Sequence, residues 1–182
     1  MKRVLLFLLI YLFSITTSYA NDRDVRLNQL FNELKVNQTN VAANVAQEIW
    51  SLWSTHPTDQ KLTSILDEGS RLVQDRQLNR AISVFSEAIE LDPTWAEAWN
   101  KRATVFYMVG EFQKSQDDID KVLELEERHF GALAGQGMVN IKLKNFDKAK
   151  RSYQKVQEIY PAMKSPEIMI EQIEELIKRQ SI

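Results

Sequence analysis

Apolar residues recur along this chain at spacings of three and four, the mark of helices with one buried face. Between Leu62 and Met163 the whole pattern returns every 34 residues. Laying 62–95, 96–129 and 130–163 over one another aligns Ile65, Trp99 and Leu133, and then a small-residue column of Gly69, Ala103 and Gly137. Leu78, Phe112 and Phe146 share the next column; Ala81, Ser115 and Ala149 follow, and then Phe85, Ile119 and Tyr153. Ala88, Val122 and Val156, with Leu91, Leu125 and Ile159, complete the packing positions. Each unit therefore predicts two amphipathic helices joined by a turn. The small column marks where their backbones must approach, since a larger side chain there would hold the pair apart.

The flanks follow the same logic. In residues 21–61, Leu27, Leu30, Phe31 and Leu34 form one helix face, and Val41, Val45, Ile49, Leu52 and Trp53 form a second after a polar turn. This hairpin reads as a degenerate repeat that serves as an N-terminal lid, because terminal units of a stacked array need a polar outer face. Trp50 and Trp53 suit core packing or, alternatively, a partner anchor. In residues 164–182, Ser165-Pro166 starts a helix with Pro at its first position. Met169, Ile170, Ile173, Leu176 and Ile177 form its stripe, as a C-terminal capping helix requires. Within the array, Thr94 with Glu97 suggests a capping box, and Gly110 marks the turn inside the second unit.

This register resembles the tetratricopeptide repeat family. Its 34-residue helix-turn-helix unit carries a bulky residue, a small residue four later and an Ala-x3-aromatic pair in the second helix. Repeat one supplies Gly69, Ala81, Phe85, Ala88 and Pro93; repeat two Trp99, Ala103, Phe106 and Phe112; repeat three Gly137, Ala149, Tyr153 and Pro161. The chain departs from the pattern at Glu68, Arg102 and Gln136, where the family has Leu, and at Asn140 and Glu127. The resemblance implies an all-α solenoid, a right-handed superhelix with repeats at 62–95, 96–129 and 130–163. It also implies a non-enzymatic protein–protein interaction module with a concave groove.

Carried over repeat by repeat, that groove would be lined by Leu66, Ser70 and Val73, then by Glu97, Asn100, Thr104, Tyr107 and Met108, and then by Ala134, Met138, Ile141 and Lys142. Family members that grip a C-terminal carboxylate use Lys, Asn and Arg at positions that here hold Leu66, Ser70, Lys101, Gly131 and Gly135. A carboxylate clamp is therefore not expected, and the Met side chains suit irregular apolar ligands. Gly131, Ala134 and Gly135 suggest room on the inner face for a ligand segment or for the N-terminal hairpin curling back. Simple tolerance of Gly near a helix start is the other reading.

Candidate chemistry changes little. His56, which precedes Pro57, is expected at a helix end and His129 at a repeat junction. Neither has a carboxylate or Cys at metal-ligand spacing, and no Gly-rich phosphate loop or nucleophile elbow occurs. Asp117, Asp118 and Asp120, with Glu124, Glu126 and Glu127, read as a solvated helix face because no calcium loop frames them. No enzyme, cofactor or metal is expected.

Charge and the N-terminus bear on location. Met1–Ala20 places Lys2 and Arg3 before an apolar run from Val4 to Phe13 and ends in Ser18-Tyr19-Ala20, as a secretory signal peptide does. Cleavage is expected after Ala20; the alternative is an uncleaved inner-membrane anchor through residues 4–20. Loss of Lys2 and Arg3 leaves 21 basic against 25 acidic residues, a net charge of −4. That balance disfavours nucleic acid. The chain has no Cys, which fits the periplasm better than a disulfide-built secreted module. The expected partner is a protein or peptide, with a self-associating structural protein of the envelope, a homo-oligomer, as the alternative. N-terminal sequencing of the exported protein should begin at Asn21; an intact Met1 would establish the anchor.

Overall fold

A computed structural model describes residues 22–36 and 39–180. The expected signal segment lies outside the described residues. These contain nine helices: α1 (22–36), α2 (Thr39–Ser54), α3 (Gln60–Gln74), α4 (Leu78–Leu91), α5 (Ala96–Met108), α6 (Phe112–Leu125), α7 (Phe130–Lys142), α8 (Phe146–Ile159) and α9 (Ser165–Gln180). From α3 to α9 each helix packs on the next, forming an all-α solenoid of three helix-turn-helix units.

The small column does what its spacing predicts. A Cβ at Gly69 would lie 2.3 Å from the Phe85 ring, and one at Gly137 would lie 2.4 Å from the Tyr153 ring. The middle unit keeps Ala103, whose partner column holds branched Ile119 in the same buried cluster. Glycine thus accompanies an aromatic in the facing column, and alanine accompanies a smaller aliphatic.

The turns inside the units also obey the 34-residue period. Arg76, Gly110 and Lys144 all adopt positive φ, of 60°, 84° and 61°. The departures from the family pattern have a structural use as well. Arg102 of α5 donates to Ser86 of α4 at 2.9 Å and, through Nε and Nη2, to both carboxylate oxygens of Asp118 in α6, each at 2.8 Å. One repeat later, Gln136 of α7 donates to Asp120 of α6 at 3.2 Å and accepts from Ser152 of α8 at 2.8 Å. These triads occupy equivalent positions, so a polar side chain in the first helix ties the preceding repeat to its own second helix. Asp118 is accordingly buried rather than part of a solvated acidic face. Asn140 joins the same layer, donating to Gln116 at 2.6 Å.

The N-terminal hairpin is present, but its seat differs from that of a lid on repeat one. Leu30, Leu34, Ile49 and Trp53 share a buried cluster with Phe130, Leu133 and Val156 of repeat three. Arg23 donates to the Leu52 carbonyl at 2.7 Å, and Arg128, at the junction of repeats two and three, donates to Asn28 at 2.7 Å and covers the Phe31 ring at 4.3 Å. The hairpin therefore folds back along the array. Repeat one needs no lid, because α3 turns Lys61, Ser64, Asp67, Glu68 and Arg71 to solvent. At the other end, α9 buries Ile173 completely beside Ala149 and Tyr153, which contributes about 1.5 to 3 kcal/mol.

The turn geometry makes an asymmetric prediction. Gly110→Ala should lower stability by about 1 kcal/mol, because a Cβ is strained at positive φ. Lys144→Gly should leave stability unchanged or raise it. Urea unfolding of both variants would check this, and a loss at Lys144→Gly matching that at Gly110→Ala would refute it.

Candidate functional site

Between α5 and α7 lies a recess of about 100 Å³. Asn100, Thr104 and Tyr107 reach it from one face of α5, at spacings of four and three; Gly131, Gly135 and Met138 reach it from α7 at the same spacings. Its floor is Ala103, Ser115, Ile119 and Val139. The Ser115 hydroxyl is spent on the Ala103 carbonyl at 2.8 Å and that of Thr104 on the Asn100 carbonyl at 3.0 Å, so the interior is mainly apolar. Met108 and Met138 are exposed.

The two neighbouring glycines have opposite uses. A Cβ at Gly131 would lie 2.4 Å from Trp50 of the hairpin, so this glycine is the seat of the indole. A Cβ at Gly135 would meet only Ile119, at 3.5 Å. Gly135 therefore leaves space open, while Gly131 yields its space to the hairpin that curls back.

Of the expected groove residues, the structure brings together Asn100, Thr104, Tyr107 and Met138. Leu66 is 1% exposed, drawn into the core of repeat one, and Val73 packs on that same cluster. The Ser70 hydroxyl donates to the Leu66 carbonyl at 2.9 Å. Ala134 is covered by the hairpin cluster, and Ile141 packs in the cluster that contains α9. Lys142 is exposed. Glu97 leaves the groove altogether: it is 1% exposed and faces His129. The inner-face rule missed Ser115 and Ile119, which come from a second helix.

A buried aromatic and polar wall closes one end of this region. Trp53 stacks on His129 at 4.0 Å and 8°, while Trp50 meets His129 and Phe130 edge-on at 5.3 and 5.4 Å. His129 Nδ1 accepts from the Ala132 N–H at 3.1 Å and so caps α7. That contact puts the donor on Nε2, which lies 3.0 Å from Glu97 Oε2. Asn100 donates to the same oxygen at 3.0 Å, and Lys101 Nζ stands 3.2 Å from Oε1. His56 repeats the device, accepting from the Asp59 N–H at 2.9 Å while Nε2 faces Asp92 at 2.8 Å. The Trp95 indole N–H then donates to the Trp53 carbonyl at 2.9 Å.

The expected capping box does not form, because Asp92 captures the Thr94 hydroxyl and amide at 2.6 and 2.8 Å and Glu97 is engaged inward. Burial pushes the Glu97 carboxyl up, but the His129 and Lys101 contacts outweigh it and hold it below its ordinary 4.5. Asp92 is likewise held down against burial, by Thr94 and His56. Among the described residues no group of three or more His, Asp or Glu side chains is placed to hold a metal.

The tetratricopeptide repeat family model matches residues 131–163. A TPR repeat-containing protein of Rhizobium etli is 30% identical over 151 residues, covering 82% of this chain and 74% of that protein. The chain belongs to the tetratricopeptide repeat family. It is 24% identical over 121 residues to human sperm-associated antigen 1, covering 66% of this chain but only 13% of that protein. Among solved structures, the first TPR of Spaghetti (RPAP3) bound to the HSP90 peptide SRMEEVD matches with a TM-score of 0.64 at 18% identity, covering 65% of this chain and 94% of that one. The crystal structure of MamA protein matches with a TM-score of 0.60 at 21% identity, covering 88% of this chain and 81% of that one. At these identities the structural likeness is one of fold.

The buried carboxylate sets an acid limit. Since the folded-state value for Glu97 lies below 4.5, its contribution to stability is complete above about pH 4.5 and is lost as pH falls through the folded value. Glu97→Gln should lower stability at pH 7 by about 2 kcal/mol, by leaving buried donors poorly matched. It should also flatten the decline in stability below about pH 4.5. Urea unfolding at pH 7 and at a series of pH values below 4.5 checks both; an unchanged pH slope would show that Glu97 is not the titrating group.

Proposed function

We propose that this protein is an exported, non-enzymatic adaptor that holds an extended segment of a partner protein in the α5–α7 groove. One large apolar side chain of that segment sits in the recess beside Gly135. The observation that carries the reading is this recess, open at Gly135 and flanked by Tyr107 and Met138. A volume of about 100 Å³ is on the scale of one aliphatic side chain, an engineered cavity of about 150 Å³ being large enough for benzene. Peptide-bound neighbours of the same fold, such as the first TPR of Spaghetti (RPAP3) with its HSP90 peptide, support a peptide or protein partner in general.

An acidic C-terminal tail is not the ligand of this reading. Leu66 is buried, Lys101 is held by Glu97, and Gly131 lies under Trp50. No cationic cradle for a terminal carboxylate is left at those positions. The basic, apolar and then small-residue order of residues 1–20 supports export to the periplasm; retained, the segment would hold the groove at the inner membrane.

Selection from a display library of random peptides tests the groove. Recovered peptides should share one aromatic or large aliphatic residue. Gly135→Leu, which fills the recess, should weaken them at least about tenfold, the worth of one buried apolar side chain. Its melting temperature should hold or rise, because glycine is unfavourable inside a helix. Binding unaffected by Gly135→Leu and by Tyr107→Glu with Met138→Glu would remove the site from this groove.

A further inference from the structure

The outer face, formed by the second helices of repeats two and three, carries two charged stripes side by side. On α6 and its exit, Asp117, Asp120, Glu124 and Glu127 follow one another at spacings of three, four and three; all four are exposed. On the turn before α8 and along that helix, Lys144, Lys148, Arg151 and Lys155 follow at spacings of four, three and four, and all but the half-buried Lys148 are exposed. Within the helices these spacings keep Asp117, Asp120 and Glu124 on one face of α6, and Lys148, Arg151 and Lys155 on one face of α8; Glu127 and Lys144 extend the two rows on the adjoining turns. The chain as a whole has a net charge of only −2; Lys121 and Asp147 are the opposite charges that fall within the two rows, and apart from them the sign separates locally between the two helices.

Their relative height is fixed by one contact, Asp120 to Lys148 at 3.7 Å. Counted along the chain from that pair, Asp117 corresponds in level to Lys144, Glu124 to Arg151, and Glu127 to Lys155. Glu127 and Lys155 line the two sides of a recess of about 460 Å³ between the helices, and the two stripes otherwise stay apart. Glu124 is held by Lys121 at 2.8 Å and Asp117 accepts from Gln113 at 2.9 Å. Lys144, Arg151 and Lys155 make no ion pair among the described residues.

We propose that this face binds a second copy of the chain about a two-fold axis running along the helices, between α6 and α8. Such a rotation keeps helix direction and exchanges left for right, so the acidic stripe of each copy meets the basic stripe of the other at the same height. A two-fold contact must be self-complementary, and adjacent stripes of opposite sign and matched spacing satisfy that requirement. The outer face is convex along the stack, so two copies touch over about two helices each, which is the width of the charged region. Exposed ion pairs each contribute little and are screened by salt; the dimer is therefore weak and depends on ionic strength. Both α5–α7 grooves stay open on the far sides, and a dimer would offer two of them to one partner. The proposal stands independently of what the grooves bind.

Sedimentation velocity of the chain from Asn21 onward, over a concentration series, tests it at about 0.01 M and about 1 M ionic strength. The expected result is a rise toward twice the monomer mass at low salt and monomer at high salt. Arg151→Glu with Lys155→Glu, and separately Glu124→Lys with Glu127→Lys, keep the Asp120–Lys148 contact; helical circular dichroism verifies folding. Each double variant alone should be monomeric at low salt, and an equimolar mixture should restore the dimer mass. A native chain that stays monomeric at low salt overturns the proposal, as does self-association that both variants retain, or a mixture that fails to associate.

Discussion

Closure of each helix pair depends on a contact that leaves no room for a methyl group. The Phe85 ring rests against Gly69 and the Tyr153 ring against Gly137, at distances a Cβ would violate by more than half an ångström. Interiors packed to crystal-like density transmit such a change, because neighbouring groups have nowhere to go. If these pairs opened, the first helices would turn and the inner face of the array with them. The groove, the polar triads and the seats for the hairpin and α9 all inherit their geometry from this approach. Ala103 beside Ile119 shows the same constraint met with a different division of volume.

The period was legible because its packing columns are local and repeated, and so was the C-terminal helix, whose apolar stripe can be read without knowing its neighbour. The polar departures were not. Arg102 reads as a broken column until Ser86 and Asp118 are found 16 residues to either side, one in the previous repeat and one in its own second helix. The equivalent set, Asp120, Gln136 and Ser152, was present in the same register. A comparison of polar columns would have exposed both.

Groove residues were legible only in the middle of the array. Asn100, Thr104, Tyr107 and Met138 line the recess, whereas Leu66, Val73, Ala134 and Ile141 are taken up by packing at the two ends. An inner-face rule assumes an unoccupied inner face. Here the hairpin and α9 claim part of it, and that depends on contacts between residues far apart in sequence: Trp50 with Gly131, and Trp53 with His129.

Those long-range contacts give His129 a position that no single reading of it anticipated. One ring nitrogen caps α7, the other faces the buried Glu97 of α5, and the ring face carries Trp53 of the hairpin. Three elements are thereby fixed by one side chain: the start of α7, the spacing of α5 from α7, and the place of α2. The recess lies between α5 and α7, one turn beyond this junction, so its width is set by the same ring. A hairpin stacked on repeat one would have closed an end that α3 already makes polar. Folded back onto repeat three, it instead packs beside the α5–α7 recess, and Gly131 is the residue that allows it to do so.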